Sequence, residues 1–487
     1  MKIRIYLLLL LFVMMDYGPG KESQKESFES RIDRHVKRVM KLYGVPGLAI
    51  GIVRDGKIIF KNGYGHANIK TGQKTDTNTL FGMASVSKSF TATAVMQLAE
   101  HGFINLDDPV SKHVPYFILK DERYRLITIR MLLNHTSGIP TMYKAEFNYE
   151  HPEFDGSALK RYLKRLYPRP LEFDPGEKHA YSNHGYALLA ALIECVSEMP
   201  FEQYMKEQVL KPLGMDNSHF LFPEIQRANL AAPHVLGAGF RYEVPDYFPV
   251  NRWAAGCGGL YSSIDEMCNW LLVCLQKGIL GENRILSEMS YNNMWTVSSP
   301  KSKRMGLGWF IDRWLDTTLV SHPGGGLGYS AECCLLPEHN LGVAVVCNAR
   351  KSPVWNIASA AFRMILGKKV PDVSLPLNIQ MLKKLRDGGI ESAIGFYRLK
   401  REELPADEFW LTQLLILGHR IMVGKHPDKL DIARKILELN VEFFPEEAYA
   451  HDVLAEAYLK LAMEHYRKAV KLDPTNWGAR EIMGRLK

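Results

Sequence analysis

Three short stretches of this sequence carry side chains whose types and order suit acyl transfer to a serine. The first is Ser85-Val86-Ser87-Lys88, which opens an apolar helical pattern at residues 90–99. A serine and a lysine three positions apart lie on the same face of a helix. The spacing therefore predicts that the hydroxyl of Ser85 lies beside the ammonium of Lys88, at a helix N-terminus where developing negative charge is stabilised.

The S-x-x-K spacing alone is weak evidence for a nucleophile. It also occurs twice elsewhere, at Ser157/Lys160 and Ser298/Lys301. One of these pairs lies among basic residues and the other straddles a proline in a loop. Ser85 could also be an ordinary N-cap serine followed by a solvated lysine. The two further stretches are therefore needed to distinguish a nucleophile from a helix cap.

The second stretch is Pro175-Gly176-Glu177-Lys178-His179-Ala180-Tyr181-Ser182-Asn183, which leads into a helix that begins near residue 184. It places the phenol of Tyr181 and the carboxamide of Asn183 on a loop at a helix start. A tyrosine beside a lysine ammonium can have a lowered pKa and shuttle protons, and a carboxamide can bind an acyl-amide oxygen. A capping turn with a surface tyrosine is the alternative.

The third stretch is His322-Pro323-Gly324-Gly325-Gly326, at the end of a strand pattern over 318–321. Glycines let a substrate acyl group lie against the backbone, and a free N–H there can complete an oxyanion hole. A flexible glycine-rich turn with an incidental histidine is the alternative.

The elements that must position these stretches lie at both ends of a long segment. A hairpin pattern, 48–53 and 58–60, flanks Asp55-Gly56, a pair suited to a tight turn. Strand patterns over 329–336 and 341–347 follow far along the chain, and helical patterns cover 28–43 and 354–366. The middle is dominated by helical periodicity. This order predicts an α+β fold in which an antiparallel sheet is built from both ends and a helical lobe is inserted, with a cleft between the lobes.

Taken in order, the three stretches resemble the serine β-lactamase and penicillin-binding-protein superfamily, and in particular the branch shared by class C β-lactamases, D-aminopeptidases and related esterases. The resemblance covers about residues 30–366. It includes three accessory stretches, Leu132-Leu133-Asn134-His135-Thr136-Ser137-Gly138, Pro212-Leu213-Gly214-Met215 and Gly258-Gly259-Leu260-Tyr261-Ser262.

The resemblance implies a role for each candidate residue. Ser85 is expected to be the acylated nucleophile, Lys88 its activating partner and Tyr181 the general base. The expected substrate-binding residues are Asn183, His322, Gly324 and Gly325, with the backbone N–H groups of Ser85 and Gly325 forming the oxyanion hole. The implied chemistry needs no metal and no cofactor, so none is expected.

The third stretch departs from the class C pattern, in which a lysine stands where this chain has His322. An imidazole with an ordinary pKa is mostly neutral at pH 7, so the charge that helps hold a substrate carboxylate is lost. We therefore predict a serine hydrolase that acts through a covalent acyl-enzyme on a small ester, an amide or a D-amino-acid-containing peptide. Two alternatives stay open: a β-lactamase or D,D-carboxypeptidase acting on penicillins or peptidoglycan peptides, and a non-catalytic binding protein.

The first twenty residues indicate an export signal, with Lys2 and Arg4 before an apolar run over 5–15 and the breaker Asp16-Tyr17-Gly18-Pro19-Gly20 after it. The run is too short to span a bilayer as a helix. We expect a periplasmic or secreted protein with no membrane span in the mature chain. Because no A-x-A cleavage pattern follows, an uncleaved anchor or a mis-assigned start is the alternative.

The domain organisation follows from the same patterns. We predict a β-lactamase-like hydrolase domain at 28–367, a linker at 368–378 and a helical, tetratricopeptide-like domain at 379–487 that offers a surface for a protein partner. The repeat pattern is only partial, because Tyr458 and Ala462 are four positions apart instead of about nine. Residues 450–471 are therefore expected to form one helix, preceded by another over 429–444.

Composition excludes some classes of function. The 487-residue chain has a formal net charge of +8, with no run of five or more basic residues, so no nucleic-acid partner is expected. The seven cysteines lie mostly in apolar contexts and are expected to be buried free thiols, with one disulfide as the alternative.

Overall fold

The structure is a computed structural model of the chain. It describes residues 26–141, 152–225, 227–237, 239–246, 251–302, 304–326, 328–350, 352–405, 409 and 411–486. The predicted export signal, residues 1–20, lies outside the described residues. Among the residues that the structure describes, no helix is long and apolar enough to cross a membrane.

The strands form one large sheet and three short pairs. They are β1 (Gly47–Arg54), β2 (Lys57–Asn68), β3 (Gln73–Lys74), β4 (Phe81–Gly82), β5 (Val235–Leu236), β6 (Tyr242–Glu243), β7 (Tyr261–Ser262), β8 (Ile279–Leu280), β9 (Asn283–Arg284), β10 (Phe310–Trp314), β11 (Thr317–Gly326), β12 (Tyr329–Leu336) and β13 (Leu341–Cys347). The large sheet is antiparallel, in the order β10-β11-β12-β13-β1-β2-β3. Because β1 pairs with β13, the sheet is built from both ends of the segment, which confirms the predicted α+β fold.

The sheet also corrects one detail of the prediction. Strand β11 does not end at residue 321 but continues through the glycine-rich stretch to Gly326. Glycine has a low strand propensity, yet β12 pairs along the whole stretch, from Val320 opposite Leu335 to Gly326 opposite Tyr329. Tertiary pairing therefore overrides the local preference for a turn.

The helices are α1 (Phe28–Tyr43), α2 (Ser87–Glu100), α3 (Val110–His113), α4 (Ile129–Leu133), α5 (Ala158–Lys164), α6 (Asn183–Ser197), α7 (Phe201–Tyr204), α8 (Ala255–Gly258), α9 (Ile264–Leu275), α10 (Glu288–Met294), α11 (Val354–Ile365), α12 (Leu377–Glu403), α13 (Thr412–Met422), α14 (Lys429–Phe443), α15 (Ala448–Leu472) and α16 (Trp477–Arg485). The predicted helices over 28–43 and 354–366 are thus confirmed, the second to within one residue.

Two apolar cores sandwich the sheet. On one face, Ile32 of α1 and Phe362 of α11 pack with Ile50 and Val343 of the central strands. On the other face, α9 and the helical lobe share one continuous core that contains Val53. Helix α2 lies inside this lobe and is buried along almost its whole length. The first turn of α2 is therefore fixed between the sheet and the helices.

The C-terminal helices have a core of their own and pack against the rest of the chain. Leu236 of β5 is buried in that core, and its carbonyl accepts a hydrogen bond from the backbone N–H of Lys425 at 2.9 Å. The single helix expected over 450–471 is confirmed as α15. Helix α12 begins at Leu377, inside the predicted linker, and breaks at Gly389, whose φ of 76° is left-handed.

All seven cysteines are free, as predicted, and only Cys195 among them is partly exposed.

Candidate active site

Ser85 lies in a tight turn rather than in the helix itself. It is the middle residue of a 3-10 turn, Ala84–Val86, that runs directly into α2. Ala84 has a φ of 46°, a backbone conformation that residues other than glycine rarely adopt. Backbone strain of this kind, immediately before a half-buried serine, is common at functional sites.

Lys88 is fully buried one turn beyond Ser85. Its ammonium donates hydrogen bonds to Ser85 Oγ at 3.2 Å, to Asn183 Oδ1 at 2.8 Å and to the carbonyl oxygen of Cys257 at 2.6 Å. All three acceptors are uncharged. The positive charge of the lysine is therefore held by dipoles, next to the serine hydroxyl.

The carbonyl of Cys257 is a functional group that the sequence did not reveal. Ser87 Oγ fixes the segment that follows Cys257, because it accepts the N–H of Leu260 at 3.0 Å. Thr91 Oγ1 fixes the segment before it, by donating to the carbonyl of Gly256 at 2.8 Å. A backbone carbonyl leaves no signal in residue type, although the accessory stretch that begins at residue 258 lies directly beside it.

Tyr181 and Asn183 reach the same ammonium from the start of α6. Ser182 caps this helix, accepting the N–H of Gly185 at 3.2 Å. The Lys88 nitrogen lies 4.9 Å from the centroid of the Tyr181 ring. Since Asn183 presents Oδ1 to Lys88, its Nδ2 is the end of the carboxamide that serves as a donor.

His322 completes the cluster from β11. Its ring centroid lies 6.4 Å from that of Tyr181, and its Nδ1 donates to the carbonyl of Pro323 at 2.9 Å. Burial, assisted by the charge of Lys88, lowers the pKa of His322 to about 3. The imidazole is therefore neutral at physiological pH, with an unprotonated Nε2 that has no hydrogen-bond partner among the described residues.

The two candidate glycines have different surroundings. A Cβ on Gly324 would lie 2.3 Å from the carbonyl oxygen of Met83, whereas a Cβ on Gly325 would meet no atom within 4 Å. Gly324 is thus required by the close approach of β11 to the turn that carries Ser85. Gly325 is exposed and follows Gly324 directly, so it lies beside the point where β11 comes close to that turn.

Phe310, which sequence reasoning did not single out, joins the cluster from β10. Its ring lies 5.3 Å from the His322 ring and is nearly parallel to the Tyr181 ring at 6.4 Å. An apolar residue in a strand pattern carries no sign of a functional position.

The other S-x-x-K lysines lie in different surroundings: Lys160 packs over the ring of Tyr116 at 5.1 Å, and Lys301 is exposed.

The fold and this cluster define a protein of the β-lactamase and penicillin-binding-protein type. Residues 32–362 match the Beta-lactamase family, and the chain belongs to that family.

Several known proteins are similar to this chain. It is 28% identical to "Protein flp" of Staphylococcus aureus (strain MW2) over 80% of this chain and 73% of that protein. It is 27% identical to an N-acetylmuramyl-L-alanine amidase of Bacillus subtilis (strain 168) over 66% of this chain and 81% of that one. Among solved structures, an octameric penicillin-binding protein homologue from Pyrococcus abyssi has a TM-score of 0.61 at 30% identity, covering 73% of this chain and 81% of the other.

Proposed function

We propose that this protein is an exported serine hydrolase that cleaves a small ester, an amide or a D-amino-acid-containing peptide through an acyl-enzyme on Ser85. The observation that carries the proposal is the position of the Lys88 ammonium, which bonds to both Ser85 and Asn183 and lies beside the ring of Tyr181. A nucleophile, a cation and a phenol at these distances are the components that acyl transfer to serine requires.

In the proposed reaction, Ser85 Oγ attacks the acyl carbon of the substrate, and its proton passes to the oxygen of Tyr181, which acts as the base in its phenolate form beside the Lys88 ammonium. The backbone N–H groups of Ser85 and Gly325 bind the oxyanion. The bond to the leaving group then breaks, and the departing alcohol or amine takes the proton from Tyr181. Water attacks the acyl-serine ester by the same route, which releases the acid and restores the hydroxyl.

One feature supports esters and amides over penicillins as substrates. The neutral His322 supplies no positive charge for a substrate carboxylate, because its pKa lies far below physiological pH. Asn183 offers an Nδ2 donor for an acyl-amide oxygen, which fits amide substrates but does not distinguish them from penicillins. The amidase name of the Bacillus subtilis relative agrees with amide cleavage. Export rests on the sequence of residues 1–20, and a protein partner for the C-terminal helices remains a prediction from sequence.

The test is hydrolysis of p-nitrophenyl acetate by the wild type and by Ser85→Ala. We expect Ser85→Ala to lower kcat/KM by about a thousand-fold or more, since a single missing nucleophile removes most of the chemistry. Ser157→Ala, which alters another S-x-x-K serine, is the matched control and should keep full activity. Unchanged hydrolysis by Ser85→Ala would refute the proposal and favour a binding protein. Hydrolysis of benzylpenicillin by the wild type at a comparable rate would favour the β-lactamase alternative.

A further inference from the structure

His135 holds the backbone on both sides of Tyr181. Its carbonyl oxygen accepts the N–H of Ala180 at 2.9 Å, and its ring Nδ1 accepts the N–H of Ser182 at 3.1 Å. The residue between these two amides is Tyr181. His135 therefore binds the backbone N–H of the residue before Tyr181 through its carbonyl and that of the residue after it through its ring.

The His135 ring also packs against the Tyr181 ring. The two centroids are 4.3 Å apart, with an angle of 35° between the planes, and a second contact at 5.1 Å joins His135 to Tyr186. Tyr186 is itself anchored, since its hydroxyl donates to the carbonyl of Leu133 at 2.9 Å. The His135 ring thus contacts both an anchored tyrosine and Tyr181.

The conformation of His135 is itself unusual. Its φ is 60°, and the residue is only 1% exposed. A left-handed residue other than glycine is strained and persists where the surroundings enforce it. Such strain often marks a position with a functional task.

The hydrogen-bond pattern also defines the charge of the His135 ring. Because Nδ1 accepts a hydrogen bond from the backbone N–H of Ser182, the ring proton must be on Nε2, and Nε2 has no partner among the described residues. Burial, with contributions from Lys88, His179 and His322, holds the pKa of His135 well below its usual range. The ring is neutral and keeps its acceptor, but Nδ1 is occupied and so cannot shuttle a proton.

From this geometry we infer that His135 is a positioning residue, which fixes the phenol of Tyr181 against Lys88 and Ser85. The inference rests on the proposed function, in which Tyr181 is the general base. Misplacing a catalytic group by about 1 Å can slow a reaction by about a hundred-fold. Loss of the His135 side chain should therefore slow the reaction at Ser85 only when Tyr181 is present.

The test is a double-mutant cycle between His135→Asn and Tyr181→Phe, read as the rate at which a fluorophosphonate labels the full-length protein. Asparagine tolerates a positive φ, so the backbone of the variant can stay in place. We expect His135→Asn to slow labelling by about ten-fold or more in the wild-type background, and by less than about two-fold when Tyr181 is already phenylalanine. His135→Gly, which also accepts the left-handed backbone, should behave alike.

His179→Asn is the matched control, because His179 lies edge-on to His135 at 5.9 Å without bonding to either amide beside Tyr181. It should leave labelling unchanged. Equal slowing by His135→Asn in both backgrounds, or no slowing in the wild type, would overturn the inference. The single variants separate this result from the proposed function: that function fails if Ser85→Ala is still labelled or if Tyr181→Phe labels at the wild-type rate, and the inference then fails with it.

Discussion

The ammonium of Lys88 and the carboxamide oxygen of Asn183 are joined by a hydrogen bond of 2.8 Å between residues 95 positions apart in the chain. The bond links the first turn of α2 to the first turn of α6. It also defines the electrostatics of the site, because the buried ammonium is bound by neutral oxygens.

Replacing Asn183 with Asp should stabilise the fold and damage the enzyme. The new carboxylate would pair with a buried ammonium, so we expect a gain of about 1–3 kcal/mol in unfolding free energy at pH 7. The substrate donor Nδ2 would be lost, and kcat/KM for the p-nitrophenyl ester of an N-acylated amino acid, whose amide oxygen would lose that donor, should fall by about ten-fold or more. Thermal unfolding and steady-state kinetics measure the two effects.

The chain contains a matched surface pair for this experiment. Lys277 donates to Asn292 Oδ1 at 2.6 Å, and this hydrogen bond is exposed to solvent. Asn292→Asp should change stability by less than about 1 kcal/mol and leave activity intact. A similar gain at both positions, or full activity of Asn183→Asp, would contradict this view of the site.

A methyl group at Gly324 should be far more damaging than one at Gly325. The Cβ of Gly324→Ala would lie 2.3 Å from the carbonyl oxygen of Met83, so β11 or the Ser85 turn must move. We expect a loss of about 1–3 kcal/mol in stability and a marked loss of labelling by a phosphonate. Gly325→Ala meets open space and should unfold at nearly the wild-type temperature. Equal unfolding temperatures for the two variants would show that Gly324 does not lie against the carbonyl of Met83.

Stability should fall as the pH is lowered below about 6.5. The folded state holds the pKa of His322 at about 3, against an ordinary value of 6.5, so the unfolded chain binds a proton that the folded chain cannot. The contribution of His322 is complete above pH 6.5 and is lost progressively towards pH 3. His184 and His234, whose pKa values burial lowers to about 4, act in the same direction.

Urea unfolding of the wild type and His322→Gln at pH 7 and pH 5 measures the contribution of His322. The stability of the wild type should drop more between the two pH values, by up to about 1.4 kcal/mol per pH unit for one proton. Parallel behaviour of the two proteins would mean that His322 titrates normally in the folded state.

Arg252 should be the most sensitive ion-pairing residue near the site. Its side chain is 5% exposed and lies 2.9 Å from both Glu194 and Glu202, at the start of the segment that leads to the Cys257 carbonyl. Arg252→Leu would leave the buried carboxylate of Glu202 and the partly buried carboxylate of Glu194 without this cation, and should cost about 3–5 kcal/mol in unfolding free energy. Arg398→Leu, which breaks an exposed pair of 2.7 Å with Glu442, should cost less than about 1 kcal/mol. Comparable losses of unfolding free energy in the two variants would refute the distinction between the buried and the exposed ion pair.

Much of the fold could be predicted from sequence because its signals are local. The pair Asp55-Gly56 does form the turn between β1 and β2, with both residues at positive φ. The apolar periodicity of α1 gave its bounds, and the order of strand and helix patterns gave the topology. The continuation of β11 to Gly326 could not be predicted, because it depends on pairing with β12 rather than on glycine propensity.

The candidate site was predictable only in its side chains. Ser85, Lys88, Tyr181, Asn183 and His322 were identified from residue types and order, and the structure brings them together. The Cys257 carbonyl could not be identified, since any residue could supply it. The contact of His135 with Tyr181 joins residues 46 positions apart through backbone amides and ring faces, and no sequence pattern encodes such contacts.

Whether Ser85 is the nucleophile is tested by intact-mass analysis of the full-length protein after incubation with a fluorophosphonate, followed by peptide mapping. We predict one covalent adduct, located on Ser85 and absent from Ser85→Ala, while Ser157→Ala is labelled at the wild-type rate. An unmodified wild-type protein, or an adduct that persists in Ser85→Ala, would contradict the assignment of Ser85 as the nucleophile.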